Sequence, residues 1–241
     1  DTIIIIIFLL SYFSFVFPVS SGNVVKANET VNIFAPFIHG FMIRDFKILA
    51  LLGLIMLLGA QNVAGSHKVN ILMRVDEKEW YASELFTMIF TCVFYSILLF
   101  LLCALFYFPV LTISSGWGSG VESYRFFTNI LTLREELLQE NVFLMFGEAF
   151  ILVTLVGILF GSICLLSDTL GNKRMGPMAC GALIVWNLVV QGTAGTIPEI
   201  LSPVAMVTGY ATGNFGYSAV YLLLLDLLVI NAFWIAGQKS D

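Results

Sequence analysis

Long apolar stretches separated by short polar ones set the rhythm of this chain. Six of them, at about 3–19, 46–64, 86–108, 149–166, 177–191 and 219–235, read as membrane spans. A hydrocarbon core of about 30 Å takes about 20 helical residues to cross. Between them lie three segments of other character. The stretch 66–85, SHKVNILMRVDEKEWYASEL, gathers charge between the second and third spans. Over 121–142, Tyr124, Phe127, Leu131, Leu138 and Val142 recur on one helical face, with Glu122, Arg125, Glu136 and Glu140 opposite. That pattern predicts an amphipathic helix lying in the membrane interface. The stretch 193–215 is too apolar for a solvated loop and too rich in Gly, Thr and Pro for a span. It is expected to be re-entrant, because non-helical backbone at membrane depth survives only inside protein.

Composition turns this pattern into a class. The chain has 241 residues, of which 59% are hydrophobic and 11% charged, with a mean hydropathy of +0.95. Average globular domains carry about 25% charge, so a water-soluble domain of this length is excluded. The expected fold is an all-α polytopic membrane protein forming one permease-like domain. Basic residues place the loop 66–85, Lys173, Arg174 and Lys239 on one side, and Lys26, Arg44, Lys47, Arg125 and Arg134 on the other. Because the first set crowds into short loops, that side is assigned as cytoplasmic, with both termini. The chain opens at Asp1 directly into Ile3–Leu10, without the basic region and cleavage site of a signal peptide. A cytoplasmic segment ahead of Asp1 is expected.

Candidate chemistry is sparse. Neither Gly-rich stretch carries the Lys-Ser/Thr of a phosphate cradle, and no HExxH, GxSxG or EF-hand pattern occurs. Two distant histidines, His39 and His67, do not build an ordinary metal site. Cys92, Cys103, Cys164 and Cys180 all fall in apolar stretches and are expected to be small buried hydrophobes. Asn28-Glu29-Thr30 is a glycosylation sequon of the kind common by chance. Ionisable residues at membrane depth are functional candidates by default, which singles out Glu148 and Asp226. For Arg44 and Lys47 two readings stand: snorkelling at the interface, which is favoured, or lining a polar cavity. For Asp226 a structural role in helix contact is favoured over proton relay or cargo binding.

Specificity lies in the charged loop. Asn70, Met73-Arg74 and Trp80, spaced N-x-x-M-R-x-x-x-x-x-W and leading into a span, resemble the loop of type-2 ABC exporter permeases. Gly116-Trp117-Gly118, the short loop Gly171–Arg174 and Ser202-Pro203 follow in the family's order. The resemblance implies a dimer of permeases, from two copies or a homologous pair, and separate ATPase subunits that hold ATP and Mg. No cofactor is expected in this chain and no nucleic acid among its partners. The loop would act as a coupling helix, with Lys68, Asn70, Arg74, Lys78 and Trp80 meeting the ATPase. Arg44, Lys47, Glu148 and Asp226 become cavity candidates, and Trp117, Ser202 and Pro203 candidates for an external gate. Cargo would be a hydrophobic or amphipathic peptide, such as a toxin, bacteriocin or phenol-soluble modulin, exported across a bacterial plasma membrane. The family's N-terminal amphipathic helix has no counterpart in this sequence. Rival readings are an ion-coupled transporter using Asp226 and Glu148, and an immunity protein that exports nothing.

Overall fold

A computed structural model describes residues 29–61, 77–114, 116–119, 141–192, 201–209 and 214–238. The expected first span 3–19, most of the charged loop and nearly all of the amphipathic helix lie outside these residues. The described part is mostly helical. Its helices are α1 (Ala35–Met42), α2 (Arg44–Gln61), α3 (Glu77–Tyr107), α4 (Val142–Thr169), α5 (Met175–Gly192) and α6 (Phe215–Gln238). Four of them, α3 to α6, are long and apolar enough to cross a membrane.

Helix α4 is the hub. It packs against each of the other five helices, and 72% of its most apolar 18-residue stretch is buried, against 17% for α6. A helix apolar all round belongs at the centre of a bundle. Its ends are written in the sequence. Asn141 caps the start, its side chain accepting a hydrogen bond from the Phe143 N–H at 2.9 Å. At the other end Gly171 takes φ +80°. Its N–H bonds to the Asp168 carbonyl, and the Asn172 N–H to that of Ser167. This is a Schellman stop, and glycine takes the left-handed conformation without a Cβ penalty.

Helix α3 is one unbroken run of 31 residues, about 46 Å at 1.5 Å per residue. Met88, Cys92, Tyr95, Leu99 and Cys103 face inward, and Phe86, Phe90, Phe94, Ile97, Leu101 and Leu105 face outward. Both stripes recur every three or four residues, so one face packs on protein and the other suits lipid. The charged stretch, expected as a connecting loop that acts as a coupling helix before a span from 86, is from Glu77 onward continuous with that span. Thr154 hydrogen-bonds to Ser96 and Phe146 packs on Phe100, which fixes α3 antiparallel to α4. The Tyr95 hydroxyl donates to the Ala50 carbonyl and ties α3 to α2. Tyr81 meets Phe233 edge-on at 5.5 Å, tying the start of α3 to the end of α6.

The end of the bundle opposite the charged stretch is closed by a small knot. Val31–Asn32 pairs in parallel with Leu111–Thr112, and the Asn32 amide donates to the Ser114 and Gly116 carbonyls at 2.6 and 2.8 Å. Beneath it, Phe34, Phe37, Phe100, Phe146 and Phe150 form one aromatic cluster across α1, α3 and α4. Helix α1, eight residues long, is too short to cross a membrane, and it buries His39 at 6% exposure.

Two predictions follow from this packing. A Cβ at Gly176 would lie 2.7 Å from the Cys164 Cα, whereas one at Gly181 would meet nothing. Gly176→Ala is expected to destabilise the α4–α5 contact by about 1–3 kcal/mol. Gly181→Ala should raise stability by about 0.5–1 kcal/mol. Thermal unfolding in detergent compares the two. Burial also pushes the His39 imidazole down to about 3 from its usual 6.5. Its contribution to stability is complete above about pH 6.5 and is lost as the pH falls towards 3, because the unfolded chain takes up the proton first. His39→Gln should flatten that acid limb of a stability profile.

Candidate functional site

Where the charged stretch enters the bundle, three helices leave a cavity of about 320 Å³. Trp80, Ser83, Glu84, Thr87 and Met88 line it from α3, Leu58 from α2, and Gly161, Cys164 and Leu165 from α4. The helical spacing of 80, 83, 84, 87 and 88 explains why one face of α3 supplies a whole wall. Trp80 and Glu84 are half-buried, and Lys78 and Glu79 are exposed one turn earlier. The site thus grades from a solvated charged turn, through an aromatic ring and a carboxylate, to sulfur and hydrocarbon. Lys68, Asn70 and Arg74, assigned to the same region, lie outside the described residues.

Asp226 sits deeper on the buried stripe of α6 that also carries Ser218, Leu222 and Phe233. It is 4% exposed, and among the described residues neither carboxylate oxygen has a hydrogen-bond donor. The pairing of Tyr81 with Phe233 places Asp226 level with Met88 and Cys92, just below the cavity floor.

The basic pair separates. Arg44 is exposed, with its Nε 3.4 Å from the Asp45 carboxylate, a surface contact worth at most about 1 kcal/mol. Lys47, three residues on, is only 2% exposed, so the two basic side chains sit in different surroundings. Lys47 falls on the stripe of α2 that also buries Ala50, Leu51, Leu54 and Leu58, at helical spacing. Glu148 is half-buried in the second turn of α4, at the same end of the bundle as Lys47.

At that same end the described part of the expected re-entrant stretch, 201–209, is buried almost throughout and holds a short 3-10 turn, Ala205–Thr208. Ser202 anchors it: its hydroxyl donates to the Asn187 side-chain oxygen at 3.0 Å and accepts from the Ala205 N–H at 3.3 Å. Trp186 adds a bond from its indole N–H to the Leu201 carbonyl at 3.1 Å. Pro203 is buried beside Ser202. Trp117 is also buried, at 1% exposure, and its carbonyl accepts from the Asn32 N–H at 3.0 Å. Sequence reasoning missed Asn187 and Asn32. Asn187 was findable as a lone amide inside an apolar run.

The chain is thus a helical protein with four helices long and apolar enough to cross a membrane, a cavity at one end of the bundle and a buried segment, 201–209, at the other. Comparison with protein-family models, curated proteins and solved structures finds no match.

Removing the Ser202 hydroxyl should unpin the buried segment. Ser202→Ala and Asn187→Leu are each expected to cost about 0.6–1.7 kcal/mol, the range for hydrogen bonds inside membrane proteins. The double variant should cost less than their sum. Full additivity in a detergent unfolding cycle would mean that the two groups do not act together.

Proposed function

We propose that the chain is the membrane-spanning subunit of an ATP-driven exporter for hydrophobic or amphipathic peptides, worked by separate ATPase subunits. The observation that carries this reading is the continuity of α3. Its first turn bears Glu77, Lys78 and Glu79, its next lines the cavity, and the same rod runs on along α4. A displacement at the charged turn therefore moves the cavity wall and the bundle interface together. Such a shift needs a partner that binds the two states unequally. An ATPase that closes on ATP, contacting Lys68, Asn70, Arg74 and Lys78, is such a partner. The buried segment at 201–209 supports the reading as a closure at the far end, with Ser202, Pro203 and Trp117 as gate residues. In this proposal two permeases pair in the plasma membrane, the charged end is cytoplasmic, and Lys47, Glu148 and Asp226 tune the route of the cargo.

One observation favours a second reading. A carboxyl as buried as Asp226, level with the cavity floor, suits an ion-coupled transporter. The two readings separate in one experiment. Tagged wild-type chain purified from its native host should bring down an ATPase subunit, and Arg74→Glu with Lys78→Glu should abolish that complex and its ATP hydrolysis. Undiminished complex in the charge-reversed variant would remove the coupling assignment. Peptide transport by reconstituted wild-type protein under an ion gradient, without ATP, would establish the second reading instead.

A further inference from the structure

Four sulfur atoms that the proposed export mechanism does not use lie in two pairs beside α4, and one member of each pair lines the cavity. Cys164 on α4 and Cys180 on α5 are buried and free, with their sulfurs 4.0 Å apart. Gly176, one turn before Cys180, permits that approach of the two helices. From α3, Met88 lays its thioether over Gly161, one turn from Cys164, and the Cys92 sulfur lies 3.9 Å from that of Met88. Met88, Gly161 and Cys164 share the cavity wall. Two thiols from two helices are thus in contact, and one of them, Cys164, shares the cavity wall with a thioether from a third.

The spacing is informative. A disulfide needs about 2.05 Å, so 4.0 Å is a separation of two independent thiols. With metal–sulfur bonds of about 2.3 Å, sulfurs 4.0 Å apart subtend about 120° at an ion between them. That is the angle of trigonal coordination, with room for a third donor. Thiolate and thioether ligands select soft ions such as Cu(I). Structural Zn²⁺ takes four ligands, and no group of three or more His, Cys, Asp or Glu at metal-binding spacing exists among the described residues. Ca²⁺ and Mg²⁺ require oxygen.

We propose that Cys164 and Cys180 bind a soft monovalent cation of the Cu(I) type, with Met88 as third donor and the cavity as the way in. Binding is an exchange without change of oxidation state: the ion replaces one proton on each thiol, and two protons leave to water in the cavity. The Cys180 sulfur gives up its 3.5 Å contact with the Phe160 carbonyl. Cys164 lies five residues from the end of α4, about 7.5 Å of helix. The residual negative charge of the complex is thereby close to the interface, and Glu84 in the cavity wall attracts the incoming cation.

The test is an anaerobic Cu(I) titration of the full chain in detergent against a competing Cu(I) chelator, with no ATPase present. The expected result is one Cu(I) per chain, and X-ray absorption showing an all-sulfur shell near about 2.3 Å. Cys164→Ala or Cys180→Ala should weaken binding by at least the ~100-fold that even an outer-shell loss can cost. Met88→Leu should drop one sulfur from the shell, and Cys103→Ala, about four turns away on α3, should change nothing. No retention against the chelator, an oxygen or nitrogen shell, or equal binding by the Cys164/Cys180 double variant would overturn the proposal. The absorption measurement needs only the wild-type chain, so a variant that does not fold leaves the proposal decidable.

Discussion

The constraint on which this structure rests is the close approach of α4 to its neighbours. In lipid, helices gain little from hiding hydrocarbon, and association depends on packing and a few hydrogen bonds. Small residues serve that end along α4 and α5. Gly157 lies against Leu54 and Cys92, Gly161 against Met88, and Gly176 against Cys164. Each brings a different helix onto the same rod, so α2, α3 and α5 are set in place by one element. The hydrogen bonds then select register: Thr154 to Ser96, Tyr95 to the Ala50 carbonyl, and Ser202 to Asn187. Displacing α4 would disturb the cavity at one end and the buried segment at the other.

How far the sequence foretold this depends on the kind of information involved. Apolar length is read directly, so α4, α5 and α6 fall close to where 149–166, 177–191 and 219–235 put them, each extended at both ends. The extensions follow from capping rather than hydropathy: polar Asn141 and Asp168 end or join α4 because its backbone groups need them. The charged residues at the start of α3 were set apart from the span because hydropathy marks where the apolar run begins, not where the helix begins. Glu, Lys and Ala are good helix formers, and Glu77–Glu84 continues the helix into water.

The site was legible in part. Trp80 and Ser202-Pro203 were singled out on short motifs, and Trp80 lines the cavity while Ser202 anchors the buried segment. The burial of Lys47 was not legible, because the sequence does not show which stripe of α2 packs against its neighbours. Nor was the contact of Cys164 with Cys180, or the place of Met88 beside Cys164 in the cavity wall, residues that lie 16 to 92 apart along the chain. Their proximity comes from antiparallel packing, and a single sequence gives no direct view of which helices are neighbours.

The length of α3 has a consequence for how the protein sits in its bilayer. A rod of about 46 Å would need a tilt of about 50° to hide within a 30 Å core, beyond the 0–40° range of membrane helices. Part of it must therefore stand clear of the hydrocarbon. The charges at Lys78, Glu79 and Glu84 choose the end. The mouth of the cavity then belongs to a short post rising into the headgroup layer, and its height above the lipid depends on bilayer thickness. A thicker membrane would draw Trp80 and Glu84 down among the headgroups, and a thinner one would lift them into open water.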